Sequence, residues 1–120
     1  MFCDEQGVSP TIELDGRDDD AIHVVAVRAG EVIGTCRLLI EGRTAKLGRM
    51  AVAMAQRGRG VGTELLRVGE AEARAAGATR IALHAQEHAR ALYARQGYVP
   101  YGNPFTEAGI PHVAMHKQLS

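Results

Sequence analysis

The chain has 120 residues, of which 46% are hydrophobic and 23% are charged. This size and composition predict a single globular domain over residues 1–120, with a core that needs no disulfides. Lysine plus arginine and aspartate plus glutamate number 14 each, so no basic excess favours a nucleic-acid-binding or membrane-surface protein. Aromatic residues make up only 4% and tryptophan is absent, which argues against a base-stacking surface.

The first half of the chain predicts strands. Residues 4–20 are polar and acidic and predict a solvated loop after a short helical segment. Three β-branched or apolar runs follow at residues 23–27, 32–40 and 45–54. The short turns between these runs are typical of an antiparallel meander.

The next segment has helical periodicity. Small and apolar residues recur on one helical face, at Gly62, Leu66, Gly69, Ala73 and Ala76. Gly77 is suited to the end of this helix. The opposite, solvated face includes Glu70 and Arg74, which form a favourable i,i+4 pair.

The remaining elements predict a mixed sheet. Residues 80–85 predict a strand, residues 87–96 a helix ended by Gly97, and residues 98–101 and 110–117 two strands. A strand, helix and strand with a short return predict a parallel βαβ unit. Pro100 indicates an edge strand or a bulge. The predicted fold class is therefore α+β.

Residues 56–62 read QRGRGVG, between a strand and a helix. A phosphate-binding P-loop would need a lysine that is absent here, and Gly-x-Gly-x-x-Gly spacing fails from either Gly58 or Gly60. The amides that open a helix lack internal partners, and that end of the helix is partly positive. Three glycines flanked by arginines therefore predict an anion site.

Two segments carry a family resemblance. Residues 52–62, VAMAQRGRGVG, resemble the R-G-x-G-x-G motif of the GNAT N-acetyltransferase superfamily, with Met54 where proline is common. Residues 86–98, QEHARALYARQGY, resemble its second motif, with Gln86 in the usual asparagine position. Residues 2–8, 20–23, 83–86 and the GIPH of 109–112 are similar to its ElaA/YjcF-like branch. That family opens with a strand and a full first helix, whereas this chain begins within the counterpart of that helix, so we expect either that the native start lies upstream or that this member lacks the first strand.

The resemblance implies transfer of an acetyl group from acetyl-CoA to an amine without an acyl-enzyme intermediate. The glycine turn would hold the pyrophosphate, and the edge from Met50 to Met54 would pair with the pantetheine arm. Val52 would supply an amide to the oxyanion, and Tyr93 would protonate the departing thiolate. The implied cofactor-binding residues are Met50, Val52, Met54, Arg57, Gly58, Arg59, Gly60, Val61, Gly62, Thr63, Gln86 and Tyr93.

The attacking amine must lose a proton to a base. The candidates are Glu5, His23, His84 and His112, of which His112 is preferred because the GIPH segment enters the last strand. Residues 98–112 are expected to line one wall of the acceptor pocket, including Tyr101, Asn103, Phe105 and Glu107. The acceptor is a small-molecule or protein amine, with neither nucleic acid nor membrane as partner, and a homodimer is a weaker expectation.

Other patterns in the sequence are open to alternative interpretations. His84 to His88 match the inverted zinc-peptidase pattern H-x-x-E-H, but His84 ends a predicted strand, so no metal site is expected. Cys3 and Cys36 have neither zinc spacing nor an evident catalytic partner, so free thiols are expected. The absence of signal-peptide and membrane-span patterns predicts a cytoplasmic protein. A non-catalytic CoA-binding module is the alternative function, and another anionic ligand is a third.

Overall fold

The computed structural model describes residues 11–17, 21–58 and 60–119. These residues form a seven-stranded sheet with two α-helices. The strands are β1 Thr11–Arg17, β2 Ala21–Arg28, β3 Glu31–Glu41, β4 Thr44–Val52, β5 Arg80–Gln86, β6 Val99–Glu107 and β7 Ile110–Gln118. Helix α1 spans Val61–Ala75 and helix α2 spans Arg90–Arg95, with 3₁₀ turns at Met54–Gln56 and Glu87–Ala89.

The strand order is β1-β2-β3-β4-β5-β7-β6, which confirms the predicted α+β fold. Strands β1 to β4 form an antiparallel meander. Helix α1 then crosses over the sheet, so that β5 pairs parallel to β4, as the βαβ pattern predicted. Strand β7 inserts antiparallel between β5 and β6, which leaves β6 at the edge of the sheet, as Pro100 indicated.

One strand was not predicted, and the predicted ends of two other strands are wrong. Residues 11–17, expected in a solvated loop, form the edge strand β1, where Ile12 pairs with Ala26 and packs against the core. Their polar composition concealed a strand because an edge strand needs few apolar residues. Strand β4 ends at Val52, since the chain turns into a 3₁₀ helix at Met54. Strand β6 continues to Glu107 through a register shift after Tyr101. The helical segment expected before residue 11 lies outside the described residues.

Helix α1 packs its apolar face on the sheet. Leu65 and Leu66 are at most 1% exposed, and each buried leucine contributes about 1.5–3 kcal/mol to stability. Close approach depends on Gly34 of β3, where an added Cβ would lie 2.9 Å from Leu65 Cδ1 and 3.0 Å from Val61 Cγ1. The helix was predicted within one residue at each end, although Ala76 follows it and is exposed.

The prediction for Glu70 is wrong. Its side chain is buried rather than solvated, and it contacts Tyr98 and Lys117 instead of pairing with Arg74. Tyr98 donates its hydroxyl hydrogen to Glu70 Oε2 at 2.9 Å, and Lys117 Nζ donates to Glu70 Oε1 at 3.0 Å. A buried carboxylate requires such partners, because its desolvation would otherwise be costly. These three side chains link α1 to the last strand.

Candidate functional site

The sheet opens between its two parallel strands. Strands β4 and β5 pair from Thr44 opposite Arg80 to Leu47 opposite Leu83, and the pairing stops there. Beyond this point β4 continues beside β3 alone, while β5 continues beside β7 to Gln86. A cavity of about 640 Å³ lies at this opening, lined by residues from both arms of the sheet.

A β-bulge accompanies the opening. On β3, Thr35 pairs with Ala51 and Arg37 pairs with Gly48, so two residues of β4 oppose one of β3. One of these two residues, Arg49, has a left-handed backbone with φ of 56°. A bulge bends its strand and increases the local twist, which is consistent with the separation of β4 from β5.

The glycine turn lies between the end of β4 and the start of α1. Gly58 and Gly60 have φ of 81° and 83°, a region that favours glycine. An added Cβ at either position would meet no atom within 4 Å, so both positions face open space. Gly62 differs, because its Cβ would lie 3.4 Å from Leu92 Cδ2, an ordinary van der Waals contact, so this position faces α2 rather than open space.

The N-terminus of α1 presents unpaired amides. The first helical hydrogen bond runs from Glu64 N to Gly60 O at 3.0 Å, and no side chain caps this end. The amides of Val61, Gly62 and Thr63 therefore have no acceptor four residues earlier within the helix. Together with the positive end of the helix dipole, these amides suit a phosphate group.

The end of β4 is held by two contacts. Arg57 Nε donates to the Val52 carbonyl at 3.2 Å, and Ala53 N donates to Ile33 O at 2.8 Å. Because amides alternate sides along a strand, the Val52 amide points away from β3 and toward the opening. Met54 lies beyond the strand and is 78% exposed, so the strand edge predicted for Met50 to Met54 ends at Val52. Arg59 lies outside the described residues.

Tyr93 lies on α2 and lines the cavity. Its side chain is 5% exposed, and burial, with Cys36 nearby, raises its pKa to about 12. Within the described part of the chain its hydroxyl has no hydrogen-bond partner. The neighbouring Tyr98, 5.9 Å away between ring centroids, instead donates to Glu70. Tyr93 is therefore a protonated donor at neutral pH with its hydroxyl available to a ligand.

Three polar side chains converge on the β5–β7 wall. His84 Nδ1 lies 3.3 Å from Glu107 Oε1, and His112 Nε2 lies 3.8 Å from the same oxygen. His112 Nδ1 lies 2.7 Å from the Ile110 carbonyl, which only accepts, so Nδ1 carries a proton. In neutral His112 the lone pair is then on Nε2. Phe105 stacks on His112 with a centroid distance of 5.9 Å and an interplanar angle of 21°.

The opposite wall is cationic. Arg37, Lys46 and Arg49 line the cavity from β3 and β4. Lys46 Nζ forms an ion pair with Glu41 Oε1 at 3.1 Å. By contrast, the guanidinium groups of Arg37 and Arg49 have no side-chain partner in the described residues. Neither arginine was among the predicted site residues, because strand pairing and the bulge, rather than sequence spacing, make them neighbours.

The predicted site residues are partly brought together. Met50, Gln86, Tyr93, Tyr101, Glu107 and His112 all line the cavity. Asn103 and Phe105 do not line it. The Phe105 ring contacts the rings of His84 and His112, and both of these histidines line the cavity. His23 lines a separate cavity of about 110 Å³, with Thr35, Arg37 and Arg49. Glu5 lies outside the described residues.

The residues of the alternative zinc and cysteine chemistries do not have the surroundings that those chemistries require. His84 lies on β5 and His88 in a 3₁₀ turn, so H-x-x-E-H does not lie on one helix. No group of three or more histidine, cysteine or acidic residues suited to a metal occurs in the described ranges. Cys36 is a free, buried thiol, and burial raises its pKa to about 11, which disfavours the nucleophilic thiolate. Cys3 lies outside the described residues. Among the residues described, no helix is long and apolar enough to cross a bilayer.

Comparison with known proteins identifies the same family along nearly the whole chain. The sequence model of the acetyltransferase (GNAT) domain matches residues 2–119. YjcF of Bacillus subtilis, an uncharacterized N-acetyltransferase, is 32% identical over 118 residues, covering 98% of this chain and 84% of YjcF. The uncharacterized protein YyaT of the same organism is 34% identical over 123 residues, covering all of this chain and 83% of YyaT.

Comparison with solved structures gives the same result. An acyl-CoA N-acyltransferase from Pseudomonas aeruginosa is 33% identical with a TM-score of 0.73, covering 86% of this chain and 73% of that one. Escherichia coli ElaA is 25% identical with a TM-score of 0.74, covering 83% of this chain and 73% of ElaA. An aminoglycoside 6′-N-acetyltransferase in complex with coenzyme A has a TM-score of 0.77, with 86% of this chain and 75% of that one covered; at 20% identity it shows a shared fold alone.

Proposed function

Since the chain belongs to the GNAT acetyltransferase family, we propose that it transfers an acetyl group from acetyl-CoA to a primary amine within a ternary complex. The observation that carries the proposal is the parting of β4 and β5 after Leu47 and Leu83. It leaves the facing edges of both strands unpaired beside a cavity, with the glycine turn at the end of β4. A CoA thioester requires this combination of strand edge, anion site and reaction space.

The glycine turn would bind the pyrophosphate through the amides of Val61, Gly62 and Thr63, assisted by Arg57 and Arg59. The free edge from Met50 to Val52 would pair with the pantetheine amides, as a peptide adds to a sheet edge. Met54 is omitted from this edge because it lies outside β4. Gln86, which lines the cavity at the end of β5, would contact the same arm from the other side.

In the reaction, the amine nitrogen forms a bond with the thioester carbon and the carbon–sulfur bond breaks. The Val52 amide would stabilise the oxyanion, a role worth about 3 kcal/mol in other enzymes. His112 Nε2 would accept the proton lost by the amine, and the resulting imidazolium would face Glu107. Tyr93 would protonate the departing thiolate, and both side chains would then exchange protons with water.

Burial keeps the Tyr93 phenol protonated, so it can donate a hydrogen bond to the departing thiolate, while the raised pKa makes it a weaker acid than an ordinary tyrosine. With a pKa of about 12, the phenol stays protonated across the neutral and mildly alkaline range, whereas an ordinary tyrosine ionises near pH 10. Tyr93 is also the residue of α2 that lines the cavity. The cytoplasmic location, and a homodimer, stay predictions from the sequence.

The direct test measures CoA release from acetyl-CoA with an amine panel, in wild type and in Tyr93→Phe. We expect Tyr93→Phe to lower kcat by about 100-fold while acetyl-CoA binding, measured by calorimetry, stays unchanged. Tyr98→Phe is the matched control, because its hydroxyl contacts Glu70; it should lower stability and leave kcat unchanged.

Unchanged turnover in Tyr93→Phe would remove the proposed acid. Wild-type protein that binds acetyl-CoA and acetylates no amine would instead favour the alternative function, a CoA-binding module without catalysis. Protein that is folded and binds no acetyl-CoA would refute both functions.

A further inference from the structure

We propose that the acceptor is an amine that also carries an anionic group, and that Arg37 and Arg49 bind that group. The inference rests on the proposed acetyl transfer and names the acceptor class for the same cavity. It is carried by two arginines that line the cavity and have no ion-pair partner among the residues that the structure describes.

The first observation is an unsatisfied buried donor. Arg37 Nε is fully buried and has no hydrogen-bond partner among the described residues. Such a group costs about 1–3 kcal/mol when left unpaired, and a charged group costs more. Neither Arg37 nor Arg49 has an ion-pair partner in the part of the chain that the structure describes. Lys46, on the same wall, is already neutralised by Glu41 at 3.1 Å.

The second observation is the place where the two arginines meet. Both line the cavity of about 640 Å³ and also the adjoining cavity of about 110 Å³. The smaller cavity adds His23 and Thr35 as polar lining residues. Two guanidinium groups can donate paired hydrogen bonds to a carboxylate or a phosphate. The two cavities thus share Arg37 and Arg49 in their linings.

The backbone supports this arrangement. The bulge opposite Cys36 inserts an extra residue in β4, and Arg49 is the residue with the left-handed backbone, with φ of 56°. An arginine in this conformation is uncommon and carries a strain cost, which structures retain chiefly at functional sites. Strand pairing of Arg37 with Gly48 brings the neighbouring residue of β4 beside it.

The two walls of the cavity differ in charge. Glu107, His84 and His112 form the opposite wall, where Glu107 is the acid that can attract a protonated amine. A ligand with an ammonium group at one end and an anion at the other would match both walls. A simple cationic amine would leave the arginines unpaired and would meet their repulsion.

The test uses matched acceptors on the full chain. The series is glycine, β-alanine, 4-aminobutanoate and 6-aminohexanoate, each compared with its own amide, with 2-aminoethyl phosphate as the phosphate arm. We expect at least one acid to exceed its amide in kcat/KM by about 10–100-fold, as expected from loss of charge-assisted hydrogen bonds. Preference for the phosphate would identify phosphate as the anion.

Substitutions of the two arginines test whether they cause the preference for an acid over its amide. Arg37→Gln and Arg49→Gln should remove the preference for acid over amide, mainly through KM, and leave acetyl-CoA affinity unchanged. Arg43→Gln is the matched control, because Arg43 is exposed in the β3–β4 turn and lies outside both cavities. Equal loss for the acid and its amide, or weaker acetyl-CoA binding in Arg37→Gln, would overturn the proposal.

A second readout needs no turnover. In ¹⁵N-labelled protein saturated with CoA, the Arg37 Nε–H signal, assigned with Arg37→Gln, should shift on addition of at least one acid of the series and stay unchanged with the corresponding amide. This result would support the anion subsite even if no acetyl transfer occurs. If no anion in the series shifts the Arg37 signal, the proposed anion subsite is wrong, whether or not the chain acetylates amines.

Discussion

Leu47 and Leu83 form the last residue pair between β4 and β5, and the candidate site begins where their pairing ends. Both side chains are buried in the core, which fixes the point at which the strands part. The position of the cleft therefore depends on core packing, while its chemistry depends on residues further along each strand.

The first prediction concerns the glycine turn. Gly60→Ala should weaken acetyl-CoA binding by about tenfold, because alanine disfavours the φ of 83° that orients the first amides of α1. Binding of acetyl-pantetheine, which lacks the pyrophosphate, should be unchanged. Calorimetry on both ligands measures the difference.

Gly42→Ala is the control for this variant. Gly42 has φ of 62° in the β3–β4 turn, and an added Cβ there would also meet no atom within 4 Å. It should cost similar stability and leave both affinities unchanged. An equal loss of affinity for the two ligands in Gly60→Ala would show that the turn does not act on the pyrophosphate.

The second prediction concerns the base. His112→Gln should lower kcat by about 100-fold at neutral pH, because Nε2 is the ring nitrogen with a lone pair on the cavity side. His84→Gln should have a smaller effect, since its Nδ1 contacts Glu107 and its side chain is half exposed. Exposed His88 supplies the control variant His88→Gln. If the variants of His112 and His88 behave alike, the base lies elsewhere.

The third prediction concerns the contact between α1 and the sheet. Gly34→Ala should destabilise the fold by about 1–3 kcal/mol, because the added Cβ would lie 3.0 Å from Val61 Cγ1 and 3.3 Å from the Ala51 carbonyl oxygen. Gly48→Ala, where a Cβ meets nothing within 4 Å, should be close to neutral. Denaturant unfolding of the two variants checks the difference, and equal stability would contradict the close contact.

The fourth prediction concerns the buried carboxylate. Glu70→Gln should cost about 2–4 kcal/mol, because it leaves the Lys117 ammonium without its charged partner. Tyr98→Phe should cost less, about 1–2 kcal/mol, by removal of one hydrogen bond. In a double-mutant cycle the two losses should be non-additive. The exposed pair Glu64–Arg67 provides the control Glu64→Gln, with an expected change below about 0.5 kcal/mol.

The fifth prediction concerns alkaline pH. Burial raises the pKa of the Cys36 thiol from 9.0 to about 11, so the unfolded chain releases this proton at lower pH than the folded chain. Ionisation of the thiol therefore has no effect on stability well below pH 9. The free energy of unfolding falls as the pH rises from 9 to about 11. Cys36→Ala should reduce this loss in unfolding experiments across that range. The same pH slope in both proteins would contradict the prediction.

Much of the site was predictable because its signals are local. The glycines at 58, 60 and 62 lie within five residues of one another, and their backbone requirements are visible in the sequence. Tyr93 and Gln86 were identified by family resemblance at a fixed distance from that turn, and both line the cavity. Helix α1 was predicted because its apolar spacing repeats over four turns.

The sequence by itself determined the order of elements from β2 onward, the glycine turn and the family, since each rests on short-range spacing or on a continuous match. Tertiary structure alone decided that Glu70 is buried, that Thr11–Arg17 completes an edge of the sheet, and that β4 leaves β5 after Leu47. It also brought Arg37, Arg49 and Glu107 into the lining of one cavity. These features depend on pairing between residues distant in the chain, and helical or strand periodicity carries no record of which distant residue will be the partner.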